Sequence, residues 1–597
     1  MVRENGNLWL TYLSIALAVT FVNSQNAVVI LDIGGQEVNV HGIEEKIQFD
    51  SNNYTLHKYL GIPFAQPPVG DLRFRRPEPI QRMESPFNAT NFGMACVQLY
   101  SLFAFNQSED CLYLNVYVPG RPADSSSGHA VGVWVHGGGF TEGAANYFDG
   151  SFLSLYGNVI IVTINYRLGI FGSLSTGDDD APGNIAFWDQ HLAFQWVKDN
   201  IGQFGGDIDR VTIFGESAGA TSVSVQGLAP LNRDLFQRVI AQSGSANVPI
   251  GFTLDSNPIE YAIKVGELLG CDQSTTMLLM NCLRQVSHED ITKSLLENDG
   301  SPYFPYVLDE LITHEFTTIP IMVDDTSRDE VEFYRSLDVM NGFNSHEGVF
   351  GIDYIKPGEV DNFTINVVEM KTALNDMFML GLDESVLEMM MHEYTDWNNP
   401  RDQEMRLQFI KLLGDFTFGA PAVETGRMHA LSKSSARNYM YYFSANPSFG
   451  VIETPDWVPG ANHADEIFFM FGIETETEML DKDPNTTWEI QLSRKMITYW
   501  TNFMKSGNPN SPEQVSPAWP EYNIDLQTYL TLEENTTDKS VGQFLLAKES
   551  NFWNHVYRDI NMAMDKKDHS EAGCVSSALR TVSTSVFPFI ISVLLFY

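Results

Sequence analysis

The chain has 597 residues, and its 44% hydrophobic and 19% charged composition is that of a globular protein with a packed core, which excludes a disordered or collagen-like chain. Lys plus Arg 36 against Asp plus Glu 76 leaves a formal net charge of −40, a field that repels phosphate backbones and excludes nucleic acid as a partner. At ~150 residues per domain the length alone admits about four domains, but no repeat or low-complexity block divides residues 25–561, so one large domain is the simplest expectation.

In chain order, residues 1–24 read as a signal peptide. Arg3 lies in a short n-region, an apolar run fills residues 8–22, and Asn23 and Ser24 precede the expected cut. That run is shorter than the ~20 residues a membrane-spanning helix needs, which makes an uncleaved anchor the weaker alternative. Sequons at Asn53, Asn88, Asn106, Asn362, Asn485 and Asn535 fit passage through the secretory pathway. Of five cysteines, Cys96 and Cys111 are near neighbours, as are Cys271 and Cys282, and Cys574 is left over. An oxidising compartment favours two short-loop disulfides, although spacing alone leaves three connectivities for four cysteines.

Apolar, β-branched runs predict buried strands over 112–118, 130–135, 159–164, 211–214 and 238–241, with a short Ser-rich loop at 125–128. Pro182 is expected in the first turn of a helix along which Ile185, Trp188, Leu192 and Trp196 recur at helical spacing. Strands alternating with helices predict an α/β fold with a large central, mostly parallel sheet and helices on both faces. Charged, Asn- and Asp-rich residues 353–406 read as a helical insertion. At the far end, residues 562–597 read as a stalk followed by a GPI-attachment signal. Ser576, Ser577 and Ala578 form a small-residue triplet, 579–585 a polar spacer, and 586–597 an uncharged apolar tail too short to span ~30 Å of hydrocarbon. Ser576 is the expected attachment residue, with Gly573 and Cys574 as neighbouring alternatives.

The chemistry centres on Gly215-Glu-Ser217-Ala-Gly219, which follows the 211–214 strand and precedes a small-residue helical run. Flanking glycines let a strand and a helix pack closely around a strained turn that holds the serine hydroxyl out. A bare G-x-S-x-G match arises by chance about 0.2 times in a chain this long, given background Gly and Ser usage, so context decides. That context is His136-Gly-Gly-Gly-Phe140 at the end of the 130–135 strand, whose consecutive glycines free backbone N–H groups for a developing oxyanion. Gly138, Gly139 and Ala218 are the expected donors. A serine nucleophile needs a base and the base an orienting carboxylate, and spacing alone does not choose among thirteen histidines.

These motifs, with Glu109-Asp-Cys111-Leu-Tyr-Leu-Asn115, Asn165-Tyr-Arg167-Leu-Gly and Pro182-Gly-Asn184, resemble those of the type-B carboxylesterase and cholinesterase family of α/β hydrolases, over about residues 28–557. The resemblance implies an α/β-hydrolase fold, Ser217 as nucleophile, Glu347 in Ser345-His-Glu-Gly-Val-Phe350 as the acid and His463 in Gly460-Ala-Asn-His-Ala-Asp-Glu466 as the base. It also implies the disulfides Cys96–Cys111 and Cys271–Cys282, no metal and no organic cofactor. Ala464 departs from the cholinesterase pattern, which has glycine after the histidine. So do two pocket positions: Ser101 stands where cholinesterases carry a choline-stacking tryptophan, with Tyr100 and Phe103 as nearby aromatics, and Ile250 where they carry an acyl-pocket tryptophan.

The expected function is therefore a serine carboxylic ester hydrolase of broad specificity, held on the outer cell surface by a lipid anchor or secreted, with a small-molecule ester as substrate. A homo-oligomer stays open. Three alternatives also remain: a cholinesterase with an altered cation site, a bile-salt-activated-lipase-like lipase, and a neuroligin-like adhesion protein without catalysis.

Overall fold

The computed structural model describes residues 27–49, 52–99, 106–248, 258–271, 273–298, 329–356, 358–378, 384–399, 401–431, 434–452, 454–472 and 487–560. The expected signal segment, the expected stalk with Cys574 and Ser576, and Tyr100, Ser101, Phe103, Ile250 and Asn485 lie outside these residues.

Strands β1 (Val28–Ile33) and β2 (Gln36–His41) form an antiparallel hairpin to which Phe87–Asn88 adds a third, parallel strand. Among the described residues the main sheet has eleven strands: β3 (Ile43–Phe49), β4 (Asn52–Pro63), β5 (Tyr113–Pro119), β6 (His129–Val135), β7 (Ile160–Ile164), β8 (Gly206–Glu216), β9 (Arg238–Gln242), β10 (Asp338–Asn344), β11 (Asn438–Phe443), β12 (Thr528–Leu532) and β13 (Val541–Gln543). Their spatial order is β13, β12, β11, β10, β9, β8, β6, β7, β5, β4, β3. Neighbours from β7 to β12 pair in parallel. The pairings that add β3, β4 and β5 on one side and β13 on the other are antiparallel. This is the expected α/β-hydrolase sheet, mostly parallel at its centre.

Side chains alternate between the two faces of each strand, so the centre of the sheet carries two separate cores. On β6, Val131, Val133 and Val135 face helices α2 (Ile185–Asn200) and α3 (Ala218–Leu228), packing with Phe187, Phe194, Val223 and Val225. Ala130 and Trp134 face the opposite side, where Phe152 and Leu153 of α1 (Ser151–Gly157) meet Trp500, Phe503 and Met504 of α8 (Thr487–Ser506). Because both faces are covered, all seven residues of β6 are buried, which is why the run reads as continuously apolar rather than alternating.

The helical insertion is present as α4 (Val367–Phe378), α5 (Glu384–Tyr394) and α6 (Asp402–Gly414), followed through a π-helical turn, Asp415–Gly419, by α7 (Ala420–Ala430). Its expected limit at Arg406 falls inside α6, so the boundary was misplaced: the apolar residues Phe409, Leu412 and Leu413 that close this satellite core lie beyond the charged stretch. A second correction concerns Pro182. It sits in a two-residue bridge with Ser175–Asp178, and Gly183 (φ 78°) and Asn184 (φ 55°) turn the chain through left-handed geometry before α2 begins at Ile185.

Both implied disulfides, Cys96–Cys111 and Cys271–Cys282, are formed. Asn53, Asn88, Asn106, Asn362 and Asn535 are all exposed. No helix among the described residues is long and apolar enough to cross a membrane.

Candidate active site

At the end of β8 the chain reverses into α3 through a single residue, Ser217, with φ 56° and ψ −123°. A non-glycine residue in such a region costs about 1–3 kcal/mol and persists only where its surroundings force it. Here the force is packing: a Cβ on Gly219 would collide with the carbonyls of Val135 and His136, and one on Gly215 would lie 2.6 Å from the Val135 oxygen. The Ser217 N–H is held by the Gln242 carbonyl at 2.9 Å, at the end of neighbouring β9. The side chain is left pointing out of the strand edge.

Two loops from distant parts of the chain meet it there. The turn after β10 carries Glu347, and the loop after β11 carries His463. They are joined by bonds from the His346 N–H to the Ala461 carbonyl at 2.8 Å and from the Ala461 N–H to Ser345 Oγ at 3.0 Å. Glu347 Oε1 accepts the Asn344 N–H at 2.6 Å, and its Oε2 lies 2.6 Å from His463 Nδ1. His463 Nε2 lies 3.0 Å from Ser217 Oγ. With the ring proton on Nδ1, donated to the carboxylate, Nε2 is free to accept the serine proton. Exposure is only 8% for Ser217, 3% for His463 and 1% for Glu347, so these bonds work in a low-dielectric setting where they are strongest.

The expected oxyanion donors lie next in the chain to Ser217 and to Gly137, which packs against it. Gly138 (φ 97°) and Gly139 (φ 58°) follow Gly137, where a Cβ would come 3.1 Å from Ser217 Cβ. Ala218 opens α3, where a backbone N–H has no carbonyl of its own helix to bond. Gly138 turns its own carbonyl to the Thr141 and Glu142 N–H groups. The preceding His136 is stacked on Tyr166 at 4.4 Å and bonded to the Gly137 carbonyl at 2.9 Å, and burial lowers its pKa to about 4, so it is neutral.

Several contributors carry no distinctive sequence signal. Glu216 Oε1 lies 3.2 Å from His463 Nε2, a second oxygen beside the nitrogen that faces Ser217. Glu466 accepts from Asn344 Nδ2 at 2.6 Å and Gln242 Nε2 at 3.1 Å, and Trp500 Nε1 donates to Gln242 Oε1 at 2.9 Å. Phe418 stacks on the His463 ring at 4.6 Å. Glu216 at least stood inside the serine motif, whereas Asn344 and Gln242 are ordinary polar residues at strand ends, and Phe418 lies far away in sequence.

Burying so many acids is expensive unless they are neutral or paired. Burial pushes the carboxyls of Glu216 and Asp465 well above the usual range and that of Glu466 above it, with neighbouring acids adding to the shift. Burial alone would lower the His463 imidazole, but the charges of Glu216 and Glu347 outweigh it and hold the ring above the ordinary histidine range. Among the described residues, no group of three or more His, Cys, Asp or Glu side chains is arranged to hold a metal ion. What the arrangement can do is deprotonate a serine and stabilise negative charge next to it.

A family model described as the carboxylesterase family matches residues 32–553. Carboxylesterase 5A of Canis lupus familiaris is 37% identical over 520 residues, covering 83% of this chain and 84% of that protein. Carboxylesterase 1E of Mus musculus is 35% identical over 530 residues, covering 83% and 88%. Acetylcholinesterase of Bungarus fasciatus is 34% identical over 538 residues, covering 86% and 85%.

The departure at Ala464 falls on a residue with positive φ. Its φ is 67°, a left-handed conformation that disfavours a Cβ by about 1–2 kcal/mol, partly offset by the greater freedom that glycine loses on folding, about 0.5–1 kcal/mol. Ala464→Gly is expected to stabilise the protein by about 0.5–1 kcal/mol, read as a higher midpoint in chemical denaturation; a lower midpoint would show that the loop is relaxed with alanine.

Proposed function

This chain belongs to the carboxylesterase family and is a serine ester hydrolase, and from that premise we propose that it works through an acyl-enzyme built by Ser217, His463 and Glu347. The observation that carries this reading is the hydrogen-bonded run from Glu347 through His463 to Ser217. His463 takes the Ser217 proton as Oγ attacks the ester carbonyl, and the N–H groups of Gly138, Gly139 and Ala218 receive the oxyanion. The proton passes from His463 to the departing alcohol. Water then attacks the acyl-enzyme by the same route, and Glu347 keeps the imidazole in the required tautomer throughout.

The substrate reading is a broad range of uncharged esters. Serine at 101 offers no cation–π platform for a quaternary ammonium, and isoleucine at 250 leaves more room for an acyl group than tryptophan would. Residues 25–561 are taken as the hydrolase domain. Exposure of the five described sequons and formation of both disulfides support passage through an oxidising secretory route, with residues 1–24 removed as a signal peptide. The small triplet, spacer and short apolar tail support a GPI anchor attached near Ser576.

Ser217→Ala is expected to lower ester hydrolysis by at least about 10³-fold while leaving a folded, secreted protein. Near-normal turnover by a clean preparation would remove Ser217 from the mechanism. With the wild-type chain, esters of graded acyl size should all be cleaved, and a strong preference for acetylcholine over a similar uncharged acetate would contradict the substrate reading.

A base must be unprotonated to act, so kcat/KM falls as pH drops through the folded imidazole pKa, and the acid limb is expected above about 6.5. Glu216→Gln removes one of the charges that raise it, and the limb should move to lower pH. An unmoved limb in the kcat/KM profile would mean that Glu216 carries no charge while His463 titrates.

Phosphatidylinositol-specific phospholipase C is expected to release esterase activity from intact cells. Activity that stays cell-bound, or that was already entirely in the medium, counts against the anchor.

A further inference from the structure

His463 Nε2 has two oxygens within reach, Ser217 Oγ at 3.0 Å and Glu216 Oε1 at 3.2 Å. The imidazole is bonded through Nδ1 to Glu347, but one bond leaves the ring free to tip about it. What limits tipping is a flat surface against the ring face: Phe418 lies 4.6 Å away at an interplanar angle of 19°, and Phe350 stands 5.8 Å away at 51°.

Phe418 is on the π-helical turn Asp415–Gly419, where an extra residue rotates the following side chains relative to α6. An ion cluster fixes that turn. Asp415 accepts from Lys411 Nζ at 2.8 Å and from the Tyr394 hydroxyl at 3.1 Å, and Lys411 also donates to Glu549 at 2.7 Å. Trp553 donates to the Tyr394 oxygen at 2.7 Å and packs on Phe416 at 4.6 Å. Helix α6 also backs the acid turn, since Gly348 approaches the Ile410 carbonyl too closely for any Cβ. One continuous element thus sets the height of Glu347 and the tilt of His463.

We propose that Phe418, seated by the Lys411–Asp415–Glu549 cluster, is a positioning residue that keeps His463 Nε2 aimed at Ser217 Oγ. This rests on the acyl-enzyme reading above, and the test separates the two. Phe418→Leu, which keeps apolar bulk without a flat face, should lower kcat for an uncharged acetate ester about 10- to 100-fold with KM within about twofold. Phe418→Tyr, which restores a flat ring, should recover most of the loss. Asp415→Asn, which keeps the shape and weakens the pull on Lys411, should reproduce a smaller fall in kcat. An unchanged kcat in Phe418→Leu, or a loss confined to KM, overturns the proposal. Should that variant fail to fold by thermal melting, the kcat of Asp415→Asn decides in its place. An inactive Ser217→Ala beside a fully active Phe418→Leu defeats the positioning role alone, whereas an active Ser217→Ala defeats the acyl-enzyme reading itself.

Discussion

Carbonyls of Val135 and His136 press so closely on the Cα of Gly219 that no side chain can stand there. That contact draws α3 down onto the end of β6 and forces Ser217 into its left-handed turn between β8 and α3. Because β6 is also the strand that leads into the three consecutive glycines, one close approach sets both the hydroxyl and the glycine loop on the same edge of the sheet. The strain of about 1–3 kcal/mol at one residue is small beside the two cores that hold β6 and β8 in place. Each fully buried large side chain in those cores contributes roughly 1.5–3 kcal/mol.

The partners of Ser217 arrive by a different principle. Glu347 and His463 sit on loops after adjacent parallel strands, β10 and β11, so the sheet brings their starting points side by side across 116 residues of chain. Polar groups then fix the loops: Asn344 bonds to Glu347, Glu466 and the Asn462 carbonyl, and Gln242 joins Glu466 to Trp500. In a dry interior such bonds are strong, and burial raises the carboxyls of Glu216, Asp465 and Glu466, which favours their neutral forms. Against burial, which would lower it, the His463 imidazole is raised by the carboxylates that face it.

Much of this was readable from the amino acids, for physical reasons that differ by region. Strands buried on both faces are continuous apolar runs, so β5, β6, β7 and the ends of β8 and β9 were evident, and the glycine motifs mark turns that tolerate no other residue. Strands β10 and β11 leave no such run. Asn341 and Asn344 interrupt the apolar run in β10 because they bond to the Ala422 carbonyl and to the acid and base loops; the polarity that hid the strand is what the site uses. Pro182 misled because its fixed φ suits a helix start, while the left-handed pair Gly183 and Asn184 intervenes. The pairing of Phe418 with His463 leaves no local trace at all, since ring stacking between distant segments has no periodicity.

The tie between the insertion and the end of the chain bears on how the molecule is made. Trp553 and Glu549 reach back 159 and 138 residues to Tyr394 and Lys411, and β12 and β13 complete the sheet from the same late stretch of sequence. Contacts of such long separation form slowly, because loop closure must precede their reward. During synthesis, Ser217 and its glycine loop emerge hundreds of residues before the elements that seat the imidazole. Trp553 and Glu549 hold Tyr394 and Lys411, and through them the turn that carries Phe418 beside the His463 ring, so the setting of that ring depends on residues more than 80 positions beyond it in the chain.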